Sequence, residues 1–249
     1  MMYLKQITKK YFQNTGESKL VLNQLTVAFQ PHEFVGILGP SGCGKSTLLR
    51  LIAGLESADS GEISISQDIQ RGFVFQEANL LPWLTVEENA ILSFRLQNKK
   101  PPTSLLEEWI QKLNLAAARR KFPHELSGGM KMRASLLRAM VMRPQLLLLD
   151  EPFAALDEVI RVDLQRQLFH FCREEKLTVL FVTHSISEAT KMCDRLLLFD
   201  YGGSVILDRQ QVLTEYQFQM SEAQRMLSGE ILQFFPKSQE KNFDSKEGA

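Results

Sequence analysis

Cysteine is nearly absent. The three thiols, Cys43, Cys172 and Cys193, are too few and too scattered for a disulfide framework or a zinc site, and they fit a reducing compartment. Neither sign of charge is in excess. Lys plus Arg and Asp plus Glu both number 29, whereas nucleic-acid binding draws most of its affinity from a basic surplus, so no nucleic-acid partner is expected. Long apolar runs are missing too. Leu146–Leu149 and Leu177–Val182 fall far short of the roughly 20 residues that cross a bilayer, and Met1–Gln13 has no apolar core of a secretory leader. The chain is expected to be soluble, so any membrane process it serves must take its span from another chain. Repeats and low-complexity tracts are also lacking. What remains is ordinary globular composition over 249 residues, enough for one sizeable core or a core plus a small subdomain.

The hydrophobic patterning reads as α/β. Leu20–Phe29 alternates apolar and polar residues as a half-buried strand does, and Phe34–Leu38 is a short apolar run that breaks at Gly39 into a Gly/Ser loop. A helical pattern starts at Ser46, with Leu48, Leu49, Leu51 and Ile52 on its apolar face. Short strands are expected at Gly61–Ser66 and Gly72–Phe75. From about 79 to 143 the pattern is mostly helical, clearest at Leu105–Leu115 and Gly129–Met142. Alternation then resumes: strand Leu146–Leu149, helix Asp157–Glu175, strand Thr178–Thr183, helix Ser187–Cys193 and strand Arg195–Phe199. A sheet domain over 1–235, split by a helical subdomain at about 79–143, is therefore expected. Tyr216–Phe235 suits a terminal helix and 236–249 a frayed polar tail.

Residues Gly39, Pro40, Ser41, Gly42, Cys43, Gly44, Lys45, Ser46 and Thr47 form a complete G-x-x-x-x-G-K-[ST] phosphate loop between a strand and a helix. Its glycines let successive amides face one anion, and the helix adds its positive end. Lys45 suits the β- and γ-phosphates and the Ser46 hydroxyl suits Mg²⁺; Cys43 is a variable position, assigned to packing. Leu146–Leu149 ends in Asp150 and Glu151. Asp150 can hold a metal ion through water, and Glu151 can polarise an attacking water for in-line phosphoryl transfer. These two motifs define a P-loop NTPase with a RecA-like core. Ser127, Gly128 and Gly129 open a further helix with exposed amides, a second anion site on the same chain. One nucleotide does not need both ends from one subunit; two subunits packed head to tail around a twofold axis do.

With these residues in place, the chain resembles the nucleotide-binding subunit of the ABC transporter family over about residues 1–230. Leu126–Met130 resembles the family signature, which implies that Ser127 and Gly129 contact the γ-phosphate held by a partner's Lys45. Gln76, in Val74–Glu77, resembles the Q-loop glutamine that senses Mg²⁺ and borders the transmembrane contact. His184 resembles the switch histidine at the γ-phosphate, and Ala155–Asp157 resembles the D-loop, with Asp157 its acid. Tyr11 resembles the aromatic that stacks on adenine, the other reading being a strand-end core aromatic beside Phe12. The resemblance implies an ABC-type ATP hydrolase that uses ATP and Mg²⁺, forms a dimer (a homodimer by preference) and docks on permease subunits at the cytoplasmic face of the membrane. Two positions depart from the family pattern: Met130 stands where glutamine is common and Ala154 where serine is common. Neither supplies a phosphate ligand or a base, so both bear on dimer geometry and turnover.

Leu80–Asn89 resembles the segment after the Q-loop in bacterial importers of nitrate, aliphatic sulfonates and taurine, served indirectly by a solute-binding protein. Trp83 within it is either a partner anchor or a subdomain core aromatic. No counterpart of the C-terminal regulatory domain of maltose-type subunits is expected after the ATPase domain. Import of a small anionic or sulfur-containing solute, of the nitrate, sulfonate or taurine kind, is the preferred expectation, with an exporter ATPase and a soluble non-transport ABC ATPase as alternatives. A non-transport ATPase would carry coiled-coil insertions, a duplicated ATPase domain or a basic face.

Overall fold

The computed structural model describes residues 1–12, 18–66, 68–154, 156–210 and 222–234. Strands β1 (Met2–Phe12), β2 (Ser18–Phe29) and β3 (Phe34–Leu38) lead into helix α1 (Lys45–Ala53), followed by β4 (Ser60–Ser64) and β5 (Arg71–Val74). Helices α2 (Val86–Ala90), α3 (Leu92–Leu96), α4 (Thr103–Lys112) and α5 (Gly128–Met140) come next, with short 3-10 turns at Ala116–Ala118 and Pro123–Glu125. Then follow β6 (Leu146–Asp150), α6 (Glu158–Glu174), β7 (Thr178–Val182), α7 (Ile186–Met192), β8 (Arg195–Phe199), β9 (Val205–Gln210) and α8 (Glu222–Leu232). Only the second part of the expected helix Tyr216–Phe235 is described, as α8; the expected tail 236–249 and Ala155 of the D-loop lie outside the described residues. Among the described residues no helix is long and apolar enough to cross a membrane.

The chain divides into two compact units, residues 1–66 with 169–249, and residues 67–168. In the first, β3 lies parallel between β7 and β8, with Phe34 opposite Val179 and Val35 opposite Arg195, and β9 closes the edge antiparallel to β8. Every residue of β3 and β8 is buried, which explains their apolar runs: a parallel strand covered on both faces has no polar side to show, and the one charged residue, Arg195, is paired with Asp208 and Glu33. Phe34 and Phe181 meet edge-on at 6.1 Å between centroids. A second, antiparallel sheet runs β2-β1-β4. The central strand β1 escapes a reading by alternation for a physical reason. Met2 and Leu4 are buried on one parity and Ile7 on the other, because Gln6 takes φ 51° and the register shifts between Leu4 and Ile7.

In the second unit β5 and β6 pair in parallel, Arg71 opposite Leu146 through Val74 opposite Leu149, and α5 packs on β5 and α2. This unit takes in the helical stretch 79–143 together with both strands. Two helices are shorter than the sequence suggests. Apolar spacing continues to Leu115, but α4 ends at Lys112 because Asn114 adopts φ 52°; Leu113 and Leu115 are still buried, from a turn. α5 ends at Met140 rather than Met142, since Arg143 takes φ 50° immediately before Pro144. The Arg119 guanidinium bridges the unit, donating to both Glu87 oxygens at 2.7 and 2.8 Å and to Glu107 at 2.7 Å.

Candidate functional site

The phosphate loop leaves the C-terminal end of β3, the central strand of its parallel group, which is where α/β proteins place ligands. Gly44 caps α1 at φ 106°, and a Cβ there would lie 2.5 Å from the Val21 carbonyl oxygen, so only glycine fits. Gly44 brings no capping side chain and the first turn of α1 carries no acid. A helix start with neither a capping side chain nor an acid favours an anion, a fit for nucleotide phosphates. Lys45 is 6% exposed, and its ammonium donates to the carbonyls of Gly39 (2.8 Å) and Pro40 (2.9 Å), held over its own loop. Ser41 and Gly42 are exposed, Ser46 is half-buried and Thr47 is buried. Cys43 is also buried, and burial pushes its thiol above the ordinary value although the Lys45 charge opposes this. A thiol so held packs rather than reacts.

Two further residues expected at the site belong to the same unit. Tyr11, near the end of β1, is 37% exposed and so is not a core aromatic; its hydroxyl reaches the Glu56 carboxylate and lies 3.4 Å from the Thr47 hydroxyl. His184 is half-buried, two residues beyond β7. Its turn is braced on both sides: the Thr183 hydroxyl donates to Glu188 at 2.5 Å and accepts from the Ser185 amide at 3.0 Å, and Ser185 caps α7 through the Glu188 amide. That bracing fixes the backbone from which the His184 imidazole projects.

The remaining residues lie in the second unit. Asp150 ends β6 and is 5% exposed. Glu151 follows at φ 45°, a left-handed conformation that costs a non-glycine residue energy and turns the chain sharply off the strand. Gln76 is exposed two residues past β5. Ser127 caps α5, its hydroxyl accepting from the Met130 amide at 3.3 Å, with Ser127 and Gly128 exposed and Gly129 buried. A Cβ on Gly129 would meet Ile160 Cγ2 at 2.7 Å. Asp157 is exposed and accepts from the Ile160 amide at 3.1 Å, an N-cap for α6. Ser46, Gln76 and Asp150 offer hard oxygen atoms, the donors that Mg²⁺ takes together with phosphate and water. Among the described residues no group of three His, Cys, Asp or Glu forms a cation cage.

Three bracing residues were not legible in the sequence. The amide nitrogen of the fully buried Asn89 donates to the carbonyls of Leu81 (3.2 Å), Leu84 (3.0 Å) and Thr85 (3.0 Å), and its oxygen accepts from the Leu81 amide at 2.8 Å. It thereby knits the loop that holds Trp83 out at 68% exposure, which removes the core-aromatic reading of that tryptophan. Arg138 binds the carbonyls of Asn79 (2.6 Å) and Ala78 (3.0 Å) behind Gln76. Glu56 holds Tyr11. A capping-box pattern, Thr85 to Glu88, was available to announce α2; no local pattern announces Arg138, whose partners lie about 60 residues away.

A glycine-capped helix start behind a buried parallel strand, with a buried aspartate ending another strand, defines a P-loop nucleotide-binding protein of α/β class. More narrowly, the chain belongs to the ABC transporter family, whose pattern, described as "ABC transporter", matches residues 22–154. It is 41% identical over 198 residues to the aliphatic sulfonates import ATP-binding protein SsuB of Bacillus subtilis, covering 77% of each chain. It is 42% identical over 197 residues to the nitrate import ATP-binding protein NrtC of Synechococcus elongatus, covering 75% of this chain and 30% of that one. It is also 41% identical over 209 residues to the bicarbonate transport ATP-binding protein CmpC of the same species, covering 80% and 32%. Among solved structures, the dimeric bacterial ABC transporter cassette MJ0796 superposes with a TM-score of 0.76 at 29% identity, over 86% of this chain and 100% of that one. A dimeric post-hydrolysis state of the same cassette, bound to ADP and Pi, gives 0.77 at the same identity and coverage.

Proposed function

We infer that this chain is the ATP-hydrolysing subunit of an importer, acting as a dimer that closes on two ATP molecules and drives a separate permease from the cytoplasmic face of the membrane. The observation that carries the reading is the pair of helix starts on one chain, α1 behind Gly44 and α5 behind Ser127, neither with an acid in its first turn. The curated relatives are named for import or transport of sulfonates, nitrate and bicarbonate, which are all small oxyanions, and this supports a small oxyanion as the solute. A solute-binding protein delivers it to the permease, and Trp83 with the exposed Gln76 loop is the face assigned to the permease.

Each residue has a distinct task. The Gly39–Gly44 loop amides and Lys45 bind the phosphates, and Tyr11 carries the adenine. Ser127, Gly128 and Gly129 of one copy complete the site of the other. Glu151 accepts a proton from the attacking water, His184 orients the γ-phosphate, and Asp157 positions the start of α6 at the subunit interface. Ser46, Asp150 and Gln76 are assigned to Mg²⁺, which when bound neutralises charge on the β- and γ-phosphates. Mixing inactive Lys45→Ala chains with inactive Ser127→Arg chains, with the permease present, tests the composite site. Each mixed dimer retains one site with neither substitution, so partial recovery of hydrolysis is expected. A mixture as inactive as its components, with mixed dimers demonstrated by a tag, refutes the arrangement.

A further inference from the structure

Tyr11 is clasped. Its phenol donates to the Glu56 carboxylate, just past the end of α1, and lies 3.4 Å from the hydroxyl of Thr47 in the first turn of that helix. The strand end and the turn after α1 are joined at four more points. The Lys9 ammonium reaches the Ser57 carbonyl at 2.8 Å and the Asp59 carboxylate at 3.5 Å, the Lys10 amide donates to Asp59 at 2.6 Å, and the Asp59 amide donates to the Thr8 carbonyl at 2.9 Å. Lys9 also sits 5.5 Å from the Tyr11 ring centroid. Burial and the Glu56 carboxylate raise the pKa of the phenol, so it stays a donor.

We propose that Glu56 is a positioning residue for the adenine base, fixing the Tyr11 ring relative to the phosphate loop by joining its hydroxyl to the far end of the helix that begins at Lys45. The proposal rests on the assignment of Tyr11 to adenine made above. The reasoning concerns preorganisation. A phenol anchored by its edge keeps one ring face turned to the nucleotide, whereas an unanchored ring at 37% exposure must be ordered each time ATP binds. α1 is a single short helix, so the clasp also sets the spacing between the surface that takes the base and the loop that takes the phosphates. Arg50, 3.6 Å from Glu56, orients the carboxylate from the helix side.

The test measures KM and kcat for ATP, and the inhibition constant of inorganic tripolyphosphate, on the full-length chain in its dimeric, permease-bound form. Tyr11→Ala should raise KM roughly thirtyfold through lost base stacking. Glu56→Ala and Tyr11→Phe should each raise it about fivefold through lost ring order, in KM rather than kcat. Glu56→Gln, which still accepts from the phenol, should stay within about twofold of wild type. The double variant Glu56→Ala/Tyr11→Phe should be no worse than either single, because both remove one interaction. Inhibition by tripolyphosphate, which has no base, should not change in any of them. If Tyr11→Ala weakens ATP while Glu56→Ala and Tyr11→Phe do not, the Glu56 proposal is wrong and the adenine assignment stands. If Tyr11→Ala has no effect, both are wrong. A parallel loss of tripolyphosphate inhibition shows that Glu56 acts on the phosphate loop instead, which also overturns the proposal.

Discussion

Placing alanine at Gly129 sets two opposing effects against each other, and the structure decides which wins. Gly129 lies in the first turn of α5 and has no left-handed φ, so alanine adds no backbone strain. Judged by helix propensity alone, Gly129→Ala should stabilise by about 0.5–1 kcal/mol. The new Cβ, however, would sit 2.7 Å from Ile160 Cγ2, well inside the 3.4 Å at which ordinary contact begins. That methyl is borne on a β-branched carbon whose χ1 has one strongly preferred well in a helix, so it cannot swing away as the tip of a long side chain would. Either Ile160 leaves its rotamer or α5 and α6 separate locally, an overpacking cost of about 1–3 kcal/mol. The net is a destabilisation of about 1–1.5 kcal/mol, or roughly 3–5 °C in Tm for a chain of this size. Thermal unfolding without nucleotide measures it apart from any effect on ATP. Ile160→Ala removes the obstructing methyl, so in that background Gly129→Ala should become neutral or mildly stabilising. Strict additivity of the two substitutions would refute the argument, because it would place the cost somewhere other than this contact.

Further outcomes follow from individual residues. Glu151→Gln should keep ATP binding while slowing hydrolysis on the order of 10²-fold or more, read by equilibrium binding and phosphate release; near-normal turnover would remove Glu151 from the role of base. Arg119→Met should cost about 1 kcal/mol at pH 7, since Glu87 and Glu107 lose a shared guanidinium on half-exposed ground. The Arg119 hydrogen bonds hold the Glu87 carboxyl below its ordinary value. A depressed folded-state value makes this contribution fully present above the unfolded carboxylate range and lost as pH falls through the folded value. The stability gap between wild type and Arg119→Met should therefore persist from pH 7 to about 5 and close below about pH 4 in denaturant titrations.

The sequence was informative where chemistry is local. The residues from Gly39 to Thr47 announce a loop and a helix because the glycines and the lysine must be contiguous to surround one anion. The strand ending in Asp150 is readable because burial on both faces forbids polar residues along it. Legibility failed where the determinant is a backbone irregularity or a distant partner. β1 was hidden by the bulge at Gln6, and the early ends of α4 and α5 by Asn114 and Arg143 at positive φ, since a single left-handed residue leaves almost no trace in hydrophobic spacing. The left-handed Glu151 is of the same kind: its role was proposed from its neighbours, while the turn that aims it is seen only in three dimensions. Side-chain braces form the third class. Arg138 and Glu56 act on carbonyls or a hydroxyl brought near by folding, and Asn89 acts on the backbone of residues 81–85, a loop conformation that no apolar spacing encodes.

The two helix starts are not equivalent, and the difference bears on the order of events. At α1 the cap is a glycine pressed against the Val21 carbonyl, so the loop holds its shape through the β2 backbone and the cap itself contributes no competing side-chain oxygen. At α5 the cap is Ser127, whose hydroxyl already accepts from the Met130 amide, so part of that helix end is satisfied from within. A phosphate gains more from a start without a side-chain cap than from one that partly caps itself, and at α1 a buried lysine is folded over the loop. On the composite-site reading, ATP therefore binds first to its own chain's loop. On the same reading the partner's Ser127 end adds the smaller increment that favours closure, an increment lost when the γ-phosphate leaves. A contact weak enough to be given up each cycle is what a reversible clamp requires: a second start as strong as the first would hold the dimer shut after hydrolysis.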